Sequence, residues 1–384
     1  APVFRREDQT QELAQVAGAG HLGGRLDGAA GGLGQQGDGG LQVDVGLVQE
    51  LGDDQHVVGA GRDLVGGAGQ GAHQAGGLWG YVDGDEAWSG LDPAAMVPVV
   101  AVPTTAGTGS ETTGVAIFDY LAMNAKTGIA HRALRPIKGI IDPNNTRTLP
   151  KMIAACTGLD QLTHALESMT ALPYNRRPAP EHPRMRPAYQ GSNPISNIWA
   201  SRAIEMISRH LVRVIEDPSD DESRGEVLLA ATYAGIGFGN GGVHLAHGMS
   251  YPVSGMVRDY VPEGYPPSHP LVPHGMAVVL NAPAVFRFTA SANPEQHLQA
   301  ARLMGTDVSG AAPEDAGDIL ADAIIELMRK VGMPNGLSAV GYGPDDVDKL
   351  VEGTLPQHRV TKLSPRPVSA ADLKQLFLDS LTLW

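Results

Sequence analysis

The chain has 384 residues, enough for two domains, and a formal net charge of −14 with no basic block, which argues against nucleic acid as a partner. No run of about 20 apolar residues occurs, so no membrane-spanning helix is expected, and Arg5 and Arg6 are not followed by the apolar stretch of a secretory signal. A single cysteine, Cys156, excludes an internal disulfide framework and fits a reducing compartment.

Residues 1–95 have a composition of their own. Residues 11–80 hold 22 of the chain's 49 glycines, and the first isoleucine, asparagine and lysine are Ile117, Asn124 and Lys126. A regular α/β domain needs β-branched strands and Lys-bearing helix surfaces. This stretch offers only fragments such as Leu41-Gln-Val-Asp-Val-Gly-Leu-Val and His56-Val-Val-Gly-Ala-Gly61. It reads as an anomalous Gly-rich segment, either a reading-frame artefact or a flexible extension.

From Val97 the pattern changes. Val97 to Val102 reads as a buried strand ended by Pro103. The loop Thr104 to Glu111, rich in hydroxyls and glycine, follows. Val115–Tyr120 and Lys126–His131 read as paired strands, and Gly139–Asp142 as a short strand. Apolar residues then fall at helical spacing over Lys151–Met169, with Pro150 suited to the first turn and Thr148 as a cap. The same spacing recurs over Ser196–Glu216, Ser223–Gly237, Gly275–Phe288, Ala311–Val331 and Ala370–Leu383. Two long loops, Pro173–Pro194 and Val261–Pro273, interrupt this part; long loops in compact domains are more often functional than idle.

Four residues in the helical part draw attention. Asp160 and His164 lie four apart, so they leave one helix face a turn apart. His247 opens His247-Gly-Met-Ser-Tyr-Pro, and His274 lies in Val-Pro-His274-Gly-Met. Three imidazoles and a carboxylate suit a divalent first-row metal such as Fe(II) or Zn(II). Singly, each has a plainer reading: a hydrogen-bonded Asp–His pair, a satisfied buried histidine, a loop histidine. His244 reads as packing or support, and Cys156 as a small buried filler.

The order and spacing of whole motifs say more. Val102-Pro-Thr-Thr-Ala-Gly-Thr-Gly-Ser-Glu111-Thr-Thr-Gly is followed by Ile141-Asp-Pro, Gly158-Leu-Asp-Gln-Leu-Thr-His-Ala-Leu-Glu, His247-Gly-Met and Pro273-His-Gly. Together they resemble the iron-containing (group III) alcohol dehydrogenases, from about Val97 to Trp384. Leu172-Pro-Tyr-Asn-Arg, Arg186-Pro-Ala-Tyr-Gln-Gly-Ser-Asn-Pro-Ile-Ser-Asn-Ile-Trp199, Ala234-Gly-Ile-Gly-Phe-Gly-Asn240, Ser268-His-Pro-Leu-Val-Pro-His-Gly and Gly353-Thr-Leu-Pro-Gln-His-Arg-Val-Thr-Lys362 are most similar to that family's hydroxyacid–oxoacid transhydrogenase branch.

The resemblance implies an α/β N-terminal nucleotide-binding domain of the dehydroquinate synthase-like type, then an all-α metal-binding domain. Here residues 1–95 would be its degraded or mis-framed portion, 96–149 its remainder, and 150–384 the helical catalytic domain. It also implies that Asp160, His164, His247 and His274 hold the catalytic metal, Fe(II) before Zn(II). NAD would meet Thr104, Thr105, Gly107, Thr108, Gly109 and Ser110, with Lys126 near the nicotinamide ribose. The family's Gly-Gly-Gly-Ser pyrophosphate turn is not found in residues 1–95. The implied reaction oxidises 4-hydroxybutyrate to succinic semialdehyde while 2-oxoglutarate becomes 2-hydroxyglutarate, through NAD that stays bound. Two alternatives stay open: an ordinary NAD-dependent alcohol or 4-hydroxybutyrate dehydrogenase, and an inactive metal-binding protein. Arginine is the natural fork for a substrate carboxylate, and Arg176, Arg177, Arg184, Arg186, Arg359 and Lys362 are candidates. A homo-oligomer is expected, cytoplasmic in a bacterium or mitochondrial in a eukaryote.

Overall fold

Residues 98–120, 125–130, 134–182, 186–265 and 270–384 are described by the computed structural model. The expectations about residues 1–95 lie outside them. Among the described residues four short strands come first: β1 (Val100–Ala101), β2 (Val115–Tyr120), β3 (Ala125–Ala130) and β4 (Lys138–Gly139). β1 and β4 pair in parallel, and β2 and β3 form the expected pair, which runs antiparallel with Val115 opposite Ala130 and Tyr120 opposite Ala125. The strand expected up to Val102 is regular only over Val100–Ala101. Pro103 lacks the N–H that would prolong the ladder.

The rest is helical. In chain order the helices are α1 (Lys151–Thr170), α2 (Pro194–Glu216), α3 (Asp221–Gly241), α4 (Leu245–Gly255), α5 (His274–Ala290), α6 (Pro294–Leu303), α7 (Ala316–Lys330), α8 (Val347–Thr354), α9 (His358–Thr361) and α10 (Ala370–Ser380). Among the described residues no helix is long and apolar enough to cross a membrane.

Thr148 does not cap α1. Pro150 occupies the cap position with extended backbone and offers no side-chain acceptor, so the helix starts without one. α2 and α3 start more conventionally. Asn193 Oδ1 accepts from Ser196 N at 3.0 Å, and Asp220 Oδ1 accepts from Ser223 N at 2.9 Å.

α1 is the central post, buried continuously from Ala155 to Thr170. Hydroxyls on a helix buried all round can turn back to its own carbonyls. Thr157, Thr163 and Thr170 do so by donating to the carbonyls of Ile153, Leu159 and Leu166, at 2.9, 2.8 and 2.8 Å. Leu159, Leu162 and Leu166 of α1 join Ile204, Ile207 and Leu211 of α2, Met249 of α4 and Phe286 of α5 in one core. Gly158 lets α2 come close, since a Cβ there would stand 2.2 Å from Leu211 Cδ1.

Candidate metal centre

Three helices converge on one buried point. α1 carries Asp160, His164 and Glu167 at i, i+4 and i+7, one face over two turns. α4 brings His247 in its first turn, and α5 begins at His274. Ligand-type atoms of Asp160, His164 and His247 all lie within 4.8 Å of one another. Asp160 Oδ2 is 3.7 Å from His164 Nδ1, and Asp160 Oδ1 is 3.4 Å from His247 Nε2 and 4.0 Å from His274 Nε2.

These separations fit a cation. Bonds of about 2.1 Å arranged tetrahedrally put donors about 3.4 Å apart. Asp160 Oδ1, His164 Nδ1 and His247 Nε2 are buried with no hydrogen-bond partner. Leaving three such atoms together uncompensated is costly, and a shared divalent ion compensates all of them. The donor set of imidazoles and a carboxylate suits Fe(II) or Zn(II).

The electrostatics agree. Burial alone would raise the Asp160 carboxyl, but His164, His247 and His274 outweigh it and hold it far below the usual range. Burial pushes His164 down to about 4, so it is neutral and able to ligate. His247 is driven down by burial, yet Glu167 and Asp160 together push it up to about 10. Two buried carboxylates thus demand positive charge at this spot, whether a proton or a metal.

Glu167 fixes the orientation of His247. Its Oε2 accepts from His247 Nδ1, and its Oε1 accepts from Ala246 N at 2.7 Å. With Nδ1 so engaged, Nε2 is the ring atom that faces the cluster beside Asp160, placed to serve as a ligand atom when the ring is neutral. Glu167 Oε1 also lies 3.2 Å from His244 Nδ1, whose Nε2 meets Thr170 Oγ1 at 3.1 Å. His244 therefore faces Glu167 and Thr170. His164 is stacked between Phe238, at 4.1 Å between ring centroids, and His247, at 4.4 Å. Sequence reasoning assigned no role to Glu167, although its i+7 position from Asp160 on a helix was a usable signal.

The Thr104–Ser110 loop leaves the carboxyl end of β1 and lies on α1. Ala106 O accepts from Gln161 Nε2 at 2.8 Å, and a Cβ on Gly107 would stand 2.8 Å from Thr157 Cβ. Gly109 has φ 56, and a Cβ there would stand 2.6 Å from Ala231 O of α3; glycine alone meets both demands. Thr105, Gly107 and Gly109 are buried, while Thr104, Thr108 and Ser110 keep partial exposure. The carboxyl end of parallel strands is where α/β folds take nucleotides, and this loop lies next to the Asp160 turn. Lys126 is in β3, in register with Asp119.

The model described as "Fe-containing alcohol dehydrogenase family, C-terminal" matches residues 188–381, and "Iron-containing alcohol dehydrogenase" matches residues 61–143. The second match begins inside the Gly-rich segment, further back than the motifs read above. A protein of Dictyostelium discoideum named "Probable hydroxyacid-oxoacid transhydrogenase, mitochondrial" is 53% identical over 75% of this chain and 53% of its own length. A Bos taurus protein named "Hydroxyacid-oxoacid transhydrogenase, mitochondrial" is 54% identical over 75% of this chain and 62% of its own length. The chain thus spans only about half to three-fifths of these relatives. Among solved structures, a 1,3-propanediol oxidoreductase is 27% identical with a TM-score of 0.63, covering 74% of this chain and 66% of that one. A sulfoacetaldehyde reductase from Bifidobacterium kashiwanohense, in complex with NAD+, is 25% identical with a TM-score of 0.59, covering 75% and 66%.

Proposed function

The chain belongs to the iron-containing alcohol dehydrogenase family, and on that premise we propose that it is a hydroxyacid–oxoacid transhydrogenase. It oxidises 4-hydroxybutyrate to succinic semialdehyde and reduces 2-oxoglutarate to 2-hydroxyglutarate, a balanced exchange of two electrons and two protons. The observation that carries this reading is the buried Asp160–His164–His247 cluster with His274 beside it. The relatives' names supply the substrate class.

In this reading Asp160, His164, His247 and His274 hold one divalent metal, iron or zinc. Thr104, Thr105, Gly107, Thr108, Gly109, Ser110 and Lys126 line the NAD site. When bound, the metal supplies a Lewis acid for the substrate oxygen, and NAD the nicotinamide that carries hydride. The chain's own part is to orient and to exclude water. Glu167 holds His247 in one tautomer, Phe238 keeps the His164 ring in plane, and Gln161 ties the Thr104–Ser110 loop to the ligand helix. Residues 96–149 act as part of the nucleotide domain and 150–384 as the metal domain.

The test is turnover of 4-hydroxybutyrate by the metal-loaded chain, with and without 2-oxoglutarate, following both products. Equal amounts of succinic semialdehyde and 2-hydroxyglutarate, without net NADH, are expected. Turnover on free NAD without an oxoacid would assign the chain to the ordinary dehydrogenases instead. Retained metal with no NAD binding and no turnover would reduce it to a metal-binding protein.

A further inference from the structure

The cluster opens on one side. Side-chain exposure is 3% at Asp160 and at His247 and 7% at His164, but 16% at His274. Tyr251 lies against that open side, its ring stacked over His274 at 6.0 Å between centroids and 21° between planes. The Tyr251 hydroxyl accepts from Arg359 Nη2 at 2.6 Å. Arg359 Nη1 donates to the Tyr189 hydroxyl at 3.3 Å, and the guanidinium lies 5.7 Å from the Tyr189 ring centroid.

The helix that carries Arg359 is fixed to the site by close packing. α9 seats its Val360 and Thr361 on Gly248, the residue after His247. A Cβ on Gly248 would stand 2.9 Å from Thr361 Cγ2 and 3.4 Å from Val360 Cγ2. Val360 itself is fully buried. Arg359 is thus held beside the ligand helix α4 and not on a free loop.

Two phenols are the hydrogen-bonding neighbours of Arg359, and among the described residues no carboxylate forms a salt bridge with it. A guanidinium has five N–H donors in a planar fork, and a partly buried one needs a compensating charge. The other basic candidates differ. Arg176, Arg186 and Lys362 are exposed, Arg184 lies outside the described residues, and Arg177 donates to the Tyr189 backbone carbonyl.

We propose that Arg359, oriented by Tyr189 and Tyr251, receives the substrate's carboxylate, while the substrate's hydroxyl or carbonyl oxygen lies at the Asp160–His164–His247–His274 cluster. This rests on the reading of the chain as acting on short hydroxy- and oxo-carboxylates, and it sets the specificity for them. A neutral alcohol lacks the group that Arg359 takes, so the residue discriminates acid from alcohol rather than supplying chemistry.

The test compares wild type with Arg359→Ala and Arg359→Lys, using the full metal-loaded chain. Equilibrium binding of 4-hydroxybutyrate and 2-oxoglutarate is measured by calorimetry. kcat/KM is measured for 4-hydroxybutyrate and for 1-butanol, its analogue without a carboxylate, each with a neutral aldehyde as the hydride acceptor so that only the donor's carboxylate depends on Arg359. Losing charge-assisted hydrogen bonds to the carboxylate lowers binding and kcat/KM for the acid about a hundredfold in Arg359→Ala. Arg359→Lys restores part of this, while metal content and activity on 1-butanol hold. Equal losses on acid and alcohol, or no loss on either, overturn the assignment. A wild type that binds the acids through Arg359 but does not exchange hydride between them supports the carboxylate site and sinks the transhydrogenase reading. Wild-type turnover with an indifferent Arg359 does the reverse, and neither binding nor turnover sinks both.

Discussion

Gly275→Ala should pull His274 away from the rest of the cluster. Gly275 is the second residue of α5, directly against α1. A Cβ there would stand 2.1 Å from the carbonyl oxygen of Cys156, 2.8 Å from its carbon and 2.9 Å from Asp160 Cβ. Carbon contacts settle at about 3.5 Å, so the start of α5 must withdraw by about 1 Å or more. Nothing on the α1 side can yield instead, because the obstacle is the backbone of a fully buried helix. His274 Nε2 already stands 4.0 Å from Asp160 Oδ1. A further ~1 Å takes it well beyond the ~3.4 Å edge of a tetrahedral site. The expected cost is about 1–3 kcal/mol of metal-free stability from overpacking, with metal affinity down at least about 10–100-fold. Urea unfolding of the metal-free protein gives the first number, and competition against a chromophoric chelator gives the second. Gly343→Ala is the control: nothing lies within 4 Å of its Cβ, and its φ is −134. A Gly275→Ala protein that unfolds like the metal-free wild type and binds metal as tightly would refute the close-packing argument.

Three further expectations can be checked on the same material. Glu167→Gln keeps the shape of the group that orients His247 but removes its charge, so metal affinity should fall about 10–100-fold with little change in fold; chelator competition and circular dichroism decide. His297 is fully buried between Thr289 Oγ1 and the Asn293 carbonyl, and burial pushes it down to about 4. Its folded value lies below the unfolded ~6.5, so its contribution is complete above that pH and is lost as pH falls towards 4, by about 3 kcal/mol in all. Urea midpoints at pH 7 and pH 5 should therefore converge in His297→Gln relative to wild type, and parallel losses in both proteins would contradict this. Gly225 lies inside α3 with ordinary helical backbone and only Pro143 Cγ near its Cβ position, at 3.7 Å. Gly225→Ala should stabilise by about 0.5–1 kcal/mol, and an unchanged or lower melting temperature would count against it.

Helices whose apolar residues repeat with period 3.6 were visible in the sequence. α2 and α7 are amphipathic against the core, and their spans were read to within a few residues. α4 went unread because Leu245 to Val253 is buried throughout and includes Gly248 and Pro252, leaving no polar face to mark a period. α3 runs on to Gly241 through glycines that local propensity treats as a stop. Packing overrides propensity there: a Cβ on Gly237 would stand 3.2 Å from Ser196 O, and one on Gly235 2.7 Å from Gly109 O. At the site, Asp160 and His164 were legible as a helical pair, while His247 and His274 depended on motif context. The contact between Tyr251 and Arg359 joins residues 108 apart, and no local pattern could have shown which arginine it was.

The converging helices have a consequence for the chain as a polymer. Asp160, His247 and His274 sit far apart along the sequence, so an ion held between them would close two large loops at once. Loop closure costs chain entropy in the unfolded state, and the cost grows slowly with loop length. A ligand bound only by the closed form repays that cost in proportion to its free concentration. An ion bound there would tie the helical part of this molecule to the supply of cation around it, with its folding equilibrium and its readiness for chemistry set by the same occupancy.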